Sequence, residues 1–128
     1  PNGVAFNADE TAVYLAETYH TRILRYEIRS DGSLGPRDVW GQTGDPAGPD
    51  GMAFDAAGNL YCAHHGGSRV DIFNPDGERI GDIPIPGANV TNCAFGGPDR
   101  KTLVVTEVET ASLYMVGMPA PGQLLNDR

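Results

Sequence analysis

A threefold internal repeat is the feature that most restricts how this chain can fold. Each repeat consists of a short apolar run that contains a phenylalanine, a polar turn, and a second apolar run. The three phenylalanines, Phe6, Phe54 and Phe95, lie 48 and 41 residues apart. Repeats of about 40 to 50 residues that read as short antiparallel strands are typical of four-stranded propeller blades. The sequence therefore predicts an all-β fold, the β-propeller.

The three repeats divide the chain into three predicted blades within one domain. Segments rich in Gly and Pro separate them, which gives blades of approximately 1–44, 45–87 and 88–128. Closed propellers have about four to eight blades, so three blades would form an open arc. We therefore expect either part of a longer propeller that lacks its N-terminal half, or a half-ring that pairs with a second copy to close.

Charge and composition exclude several classes of function. The net charge is −8, with a single Lys, so the phosphates of nucleic acids would be repelled. No apolar run approaches the roughly 18 residues that a membrane span needs. Cys62 and Cys93 lie in apolar strands of neighbouring repeats, which predicts buried free thiols and favours a reducing, cytoplasmic location. The expected partner is therefore a small molecule, with neither nucleic acid nor membrane.

The residues that open the inner strands are candidate ligands. The innermost strand of each blade lines the central channel, so these residues would face one another at one mouth. They are Asn2 in Pro-Asn-Gly, Asp50 in Pro-Asp-Gly and, in the third repeat, the pair Thr91 and Asn92. Hard divalent cations prefer amide and carboxylate oxygens. Asn-Gly and Asp-Gly are also ordinary turn dipeptides, so spacing alone leaves a cation site and a plain turn both open.

Four ordered segments resemble the SMP-30/gluconolactonase/regucalcin family, in its C-terminal half. They are Pro-Asn-Gly-Val-Ala-Phe, Gly-Pro-Asp-Gly-Met-Ala-Phe-Asp-Ala-Ala-Gly-Asn-Leu-Tyr, Gly-Gly-Ser-Arg-Val and Thr-Asn-Cys-Ala-Phe-Gly-Gly. The resemblance implies a six-bladed propeller with a divalent cation (Ca²⁺, Zn²⁺, Mg²⁺ or Mn²⁺) in its channel. It also implies hydrolysis of sugar lactones, a carboxylic ester hydrolase activity, with Asn2 and Asp50 as metal ligands.

The resemblance also implies site residues that these three repeats lack. The family's ligand glutamate and its substrate-binding arginine and asparagine belong to the first half of the propeller. We do not expect Glu17 to replace that glutamate, because Glu17 follows the second strand of its blade instead of opening an inner strand. The resemblance therefore implies lactonase activity at the level of the family and leaves the activity of this chain alone open.

A bound cation would polarise the lactone carbonyl, and Asp50 is the expected general base for the attacking water, hence the predicted catalytic residue. The sequence contains no Gly-x-Ser-x-Gly elbow, which disfavours a covalent serine mechanism. His64 is a candidate substrate-binding residue in a predicted turn, residues 64–68, whereas the adjacent His65 would point elsewhere. Trp40 is predicted to pack within its blade.

Two alternatives to a lactonase fit the same sequence. One is a propeller that keeps the fold as a non-catalytic binding or scaffold domain. The other is the half-propeller that self-assembles about a twofold axis into a six-bladed ring, which would bury its open edges.

Overall fold

Three antiparallel sheets follow one another along the chain, of which the computed structural model describes residues 1–125. The first sheet contains β1 (Val4–Phe6), β2 (Ala12–Glu17), β3 (Arg22–Glu27) and β4 (Asp38–Gln42). The second contains β5 (Gly48–Phe54), β6 (Leu60–His65), β7 (Arg69–Phe73) and β8 (Arg79–Pro84). The third contains β9 (Val90–Gly96), β10 (Thr102–Glu107) and β11 (Ser112–Gly117). A 3₁₀ helix at Thr18–His20 connects β2 to β3.

This arrangement of consecutive sheets confirms the predicted all-β propeller architecture. In each sheet the strands pair in chain order, and the strand that begins the repeat lies at one edge. The third sheet has three strands among the described residues, where a full blade has four. Within residues 1–125, no helix is long and apolar enough to cross a membrane.

One tight turn shows why the repeated segments form hairpins. Asp55 follows β5, and its Oδ1 accepts the main-chain N–H groups of Ala57 and Asn59, each at 2.9 Å. Gly58 takes a positive φ of 87°, which suits glycine. The carboxylate thus satisfies the main chain of the turn and returns it directly into β6.

An aromatic contact is repeated between neighbouring sheets. Tyr14 of the first sheet meets Phe54 of the second edge to face, with ring centroids 5.0 Å apart. Tyr61 of the second sheet meets Phe95 of the third in the same way, also at 5.0 Å. Such pairs contribute about 0.5–1.5 kcal/mol beyond the burial of their area. The rings of Trp40 and Tyr14, which belong to the same sheet, have centroids 4.9 Å apart, which confirms that the partly buried Trp40 packs within its blade.

The free face of the first sheet and that of the third sheet have no neighbouring sheet among the described residues, so they lack the Tyr–Phe contact found between the sheets. Val104 occupies the position of Tyr14 and Tyr61 in the third repeat, yet it is only half-buried because no fourth sheet follows it among the described residues. Met115 lies beside Val104 and is 72% exposed. On the first sheet, Phe6 is 50% exposed. Both ends of the arc therefore present apolar side chains.

Residues 121–123, which we call the C-terminal strap, cross the ends of the inner strands. Gln123 donates its main-chain N–H to the carbonyl of Phe54 at 3.0 Å and its side-chain amide to that of Phe6 at 3.2 Å. A main-chain hydrogen bond of 2.8 Å ties the strap to Arg100 of the third repeat. The strap therefore connects all three sheets.

The two cysteines are buried free thiols, as predicted. Cys62 lies in β6 and Cys93 in β9, and neither forms a disulfide. Burial raises the pKa of Cys93 to about 12. Since the thiolate is the reactive form of cysteine, this thiol is chemically quiet at neutral pH.

Candidate functional site

The inner strands of the three sheets begin side by side. A Cβ added at Gly3 would overlap the main-chain carbonyl of Asp50, and one added at Gly51 would overlap the side chain of Asn92. Each glycine therefore permits a contact that no other residue would allow without displacement. The starts of β1, β5 and β9 meet at one mouth of the arc, as the repeat alignment predicted.

These three strand ends line an open pocket of about 370 Å³. Asn2, Asp50, Thr91 and Asn92 line it with polar groups, and Met52 and Cys93 are among its apolar neighbours. The structure thus brings Asn2 and Asp50 to a common pocket although they are far apart in the sequence. Their role as ligands stays a prediction.

Asp50 is half-buried at the pocket wall. Burial raises the pKa of its carboxyl group, and the charge of nearby His65 acts in the opposite direction. No group within residues 1–125 donates a hydrogen bond to this carboxylate. The register of β5 against β6 shifts between Pro49 and Met52, and such irregularities re-aim side chains beside functional sites.

Asn2 is held through Thr18, a residue that sequence reasoning missed. The Asn2 side-chain amide donates to the Thr18 hydroxyl at 3.5 Å, and that hydroxyl donates to the carbonyl of Pro49 at 2.8 Å. The Asn2 Oδ1 accepts no hydrogen bond from the described part of the chain. Because the partners of Thr18 are 16 and 31 residues away, no local pattern in the sequence marks it.

The donor set at this pocket fits a hard divalent cation. Asn2 offers an amide oxygen and Asp50 a carboxylate, and neither oxygen is occupied by a donor of residues 1–125. Such cations take about six to eight oxygen ligands, so these two residues would supply part of a coordination shell. The described residues hold no group of three or more His, Cys, Asp or Glu side chains that is placed to bind a metal.

His64 lies elsewhere than predicted. The predicted turn at residues 64–68 was wrong at its start, because β6 continues through His65 by pairing with Gly48 and Pro49. The His64 ring is fully buried, with Nδ1 2.6 Å from Asp71 Oδ2 and Nε2 2.7 Å from the carbonyl oxygen of Pro46. His64 does not line the pocket, so the substrate-contact prediction gains no support from this geometry.

Asp71 is the centre of a buried charge cluster around His64. Burial alone would raise the pKa of Asp71, but hydrogen bonds from His64, Arg69 and Arg79 outweigh it and lower the pKa. Arg69 and Arg79 donate to Oδ1 at 2.7 and 2.6 Å. His64 contacts Pro46 in the connection between the first two sheets. The cluster therefore fixes the segment that leads into β5 and Asp50.

His65 lies next to the site. The sequence indicated its direction only through the alternation of side chains along a strand, which points His65 away from His64. Adjacent strand residues point to opposite faces, so the burial of His64 turns His65 the other way. His65 pairs with Gly48 of β5 and bridges to Asn89 before β9. A protonated His65 favours the ionised form of Asp50.

Glu17 does not take part in the site. It ends β2, and its carboxylate pairs with the Arg22 guanidinium at 2.6 Å. The hydrogen bond from Arg22 lowers the pKa of Glu17. Glu17 is not among the residues that line the pocket.

Comparison with known proteins places this geometry in a family. The model of the family described as SMP-30/Gluconolactonase/LRE-like region matches residues 1–109. A 6-deoxy-6-sulfogluconolactonase of Pseudomonas putida is 37% identical over 107 residues, which cover 82% of this chain and 37% of that protein. The pentonolactonase XacC of Haloferax volcanii is 35% identical over 108 residues, which cover 83% of this chain and 37% of that protein. The chain thus spans little more than a third of these curated relatives.

Solved structures give the same result. A calcium-binding regucalcin from Agrobacterium tumefaciens superposes with a TM-score of 0.84 at 28% identity, over 95% of this chain and 47% of that one. The gluconolactonase XC5397 from Xanthomonas campestris superposes with a TM-score of 0.80 at 32% identity, over 93% of this chain and 38% of that one. The chain belongs to the SMP-30/gluconolactonase/LRE-like family.

Proposed function

We propose that Asn2 and Asp50 hold a divalent cation and that the protein carrying this chain hydrolyses sugar lactones. One observation carries the proposal: two oxygen donors from different sheets line one pocket, and no described residue occupies them. The names of the relatives, a sulfogluconolactonase and a pentonolactonase, support the reaction class. The structure of a calcium-binding regucalcin supports the cation.

A divalent cation held by Asn2 and Asp50 would supply Lewis acidity toward a lactone carbonyl. Asp50 accepts the proton of the attacking water while the water oxygen bonds to the carbonyl carbon. The ring C–O bond then breaks, and the ring oxygen takes the proton that Asp50 accepted, which gives the open hydroxy acid and restores the carboxylate. In the metal-free chain, burial raises the pKa of Asp50. Its two oxygens allow one to act as ligand and the other as base.

The ligand chemistry favours some cations over others. Carboxylate, amide and water oxygens suit Ca²⁺, Mg²⁺ and Mn²⁺, and we propose a cation of this class in preference to Zn²⁺. The remaining ligands would come from water, substrate or further blades of the ring.

Two measurements on one set of variants test this function. Metal-free protein is titrated with Ca²⁺, Mg²⁺, Mn²⁺ and Zn²⁺ by calorimetry, and aldonolactone hydrolysis is followed by acid release. Asp50→Asn and Asn2→Ala should each weaken cation binding by about tenfold or more, and Asp50→Asn should abolish hydrolysis. Asp76→Asn, in an exposed turn of the second sheet, is the matched control and should change neither.

The outcomes separate the candidate functions. Retention of cation binding and hydrolysis by Asp50→Asn would refute the proposal. Cation binding by the wild type without hydrolysis of any aldonolactone would instead favour the scaffold alternative.

A cytoplasmic location is proposed as well, on the ground that both cysteines are free thiols.

The open faces suggest how the ring is completed. The Tyr–Phe contact occurs at both internal sheet boundaries, and Phe6 and Val104 hold the corresponding positions at the two ends. We propose that further blades cover these faces in the functional protein, either from a longer chain or from a second copy. Closure would bury the apolar side chains that are now exposed.

A further inference from the structure

We infer that Asn92 binds an oxygen atom of the lactone substrate through its side-chain N–H groups and does not ligate the cation. This inference rests on the proposed lactonase function and adds a substrate-binding residue to it. It concerns the third inner strand, where the repeat places Asn92 opposite Asn2 and Asp50.

The position of Asn92 is fixed by its packing against β5. Asn92 lies in the pocket lining with Asp50. A Cβ on Gly51 would overlap the Asn92 side chain and also approach its Cα. Only the absence of a side chain at Gly51 allows the two strands to come this close, so the Asn92 side chain lies against the residue that follows Asp50.

The orientation of the Asn92 amide follows from one hydrogen bond. Its Oδ1 accepts the main-chain N–H of Cys93 at 2.9 Å. Only the oxygen of an amide can accept, so the NH₂ group is the other arm of the planar amide and points away from the Cys93 N–H. Within residues 1–125, this NH₂ group has no acceptor. Its unpaired N–H donors are therefore available to a ligand in the pocket.

Asn2 and Asn92 present opposite polarities to the pocket. In Asn2 the NH₂ group donates to Thr18, and the oxygen accepts no hydrogen bond from residues 1–125. In Asn92 the oxygen accepts the main-chain N–H of Cys93, and the NH₂ group has no acceptor within residues 1–125. An oxygen suits a cation, whereas an N–H donor suits a carbonyl or hydroxyl oxygen. The pocket thus combines groups for an ion with a group for a neutral, oxygen-rich substrate.

The start of β9 is anchored well enough to hold this amide. The hydroxyl groups of Thr91 and Thr106 lie 2.8 Å apart, and the Thr106 hydroxyl also donates to the Asn92 carbonyl at 3.5 Å. The register of β9 against β10 shifts at this point, between Thr106 and Glu107. A bulge of this kind directs a side chain away from the regular alternation of a strand.

Two substitutions test the assignment in the protein that carries this chain. Asn92→Asp keeps the oxygen that accepts the Cys93 N–H but removes the donor; Asn92→Ala removes both. Each should raise KM for an aldonolactone about tenfold, with kcat within about threefold, because one substrate hydrogen bond is lost. Asn92→Ala should leave Ca²⁺ or Mn²⁺ affinity within about twofold, since Asn92 is not a ligand. Asn74→Asp, in an exposed turn where Oδ1 also accepts main-chain N–H groups, is the matched control.

Each result has a distinct meaning. An unchanged KM in Asn92→Asp, with wild-type hydrolysis intact, overturns the assignment and leaves the lactonase proposal standing. A loss of cation affinity in Asn92→Ala as large as that in Asn2→Ala overturns it by making Asn92 a ligand. Absence of hydrolysis by the wild type overturns the proposed function, and the Asn92 assignment with it.

Discussion

Thr18 donates its hydroxyl hydrogen to the main-chain carbonyl of Pro49 at 2.8 Å and so joins the first sheet to the residue before Asp50. The contact is close throughout, since a Cβ on Gly48 would overlap the Thr18 carbonyl. Asn2 is attached to the same hydroxyl. The two proposed ligands are therefore positioned by one shared side chain.

Thr18→Val should loosen both ligands while keeping the shape of the side chain. The lost hydrogen bond leaves the Pro49 carbonyl without its donor, which should lower the free energy of unfolding by about 1 kcal/mol. Cation affinity, measured by calorimetry, should fall about threefold to tenfold because Asn2 and Asp50 are less well oriented. Thr11→Val, which removes an exposed hydroxyl bonded to Asp9 in a distant turn, should leave cation affinity unchanged. Equal affinities for the two variants would contradict this role of Thr18.

Asp71→Ala should be among the most destabilising substitutions in the second sheet. It leaves the Arg69 guanidinium and the His64 ring without their carboxylate partner in a buried site. Breaking such a buried cluster costs about 3–5 kcal/mol, which urea denaturation would measure. Asp82→Ala removes an exposed partner of Arg79 and should cost less than about 1 kcal/mol. A small loss in Asp71→Ala would mean that the cluster contributes little to stability.

Glu107 should make the protein acid-sensitive. Burial alone would raise the pKa of Glu107, but hydrogen bonds from Thr110 and from the main chain of Glu109 and Asn89 hold it at about 2, below the ordinary 4.5. A depressed folded-state pKa gives stability that is complete above the unfolded value and is lost as pH falls through the folded value. This contribution should therefore disappear between about pH 4.5 and about pH 2.

Thermal melts of Glu107→Gln at several pH values would check that contribution. The variant should melt below the wild type at neutral pH, and the difference should shrink across the acid window as Glu107 becomes protonated. Glu27→Gln, on the exposed end of β3, is the control and should show no such convergence. A difference between wild type and Glu107→Gln that stays constant with pH would rule the interpretation out.

Gly122→Ala should weaken the attachment of the C-terminal strap. A Cβ at Gly122 would overlap the Phe95 side chain, and forcing it in should cost about 1–3 kcal/mol. Gly96→Ala introduces the same group where no atom lies within 4 Å, so it should cost far less. Differential scanning calorimetry of the two variants gives the comparison. Similar melting temperatures would show that the strap yields without cost.

The isolated 128-residue chain should self-associate at micromolar concentration, because both ends of the arc expose apolar side chains. Met115→Lys places a charge on the open face of the third sheet and should shift light-scattering masses toward the monomer. Leu34→Lys, which replaces another exposed apolar residue, between β3 and β4, is the control and should not. A monomeric wild type would contradict this expectation.

The repeat was enough to predict the architecture and the meeting of the inner strands. Phe54 and Phe95 recur with Tyr14 and Tyr61 as partners because each sheet meets the next through the same positions. The repeat also gave Val104 the corresponding position. Its partial exposure follows from the end of the arc, which a local alignment does not reveal.

Other features depended on contacts between distant residues. Two histidines before two glycines predict a turn that begins at His64. The strand instead continues, since Asp71 and Pro46 satisfy the buried ring. The link from Thr18 to Pro49 and the orientation of the Asn92 amide depend on partners that no spacing rule marks. The sequence therefore predicted which residues line the pocket, but not whether each asparagine presents its oxygen or its NH₂ group there.

The strap has a consequence at the far side of the molecule. It fastens the Phe6 and Phe54 ends of two inner strands, whereas Asn2 and Asp50 lie at the opposite ends of those strands. Because the two strands are joined at one end, their separation at the other end is restrained. Residues 121–123 thereby limit how far these two inner strands can move apart, and the proposed cation would have to fit between them.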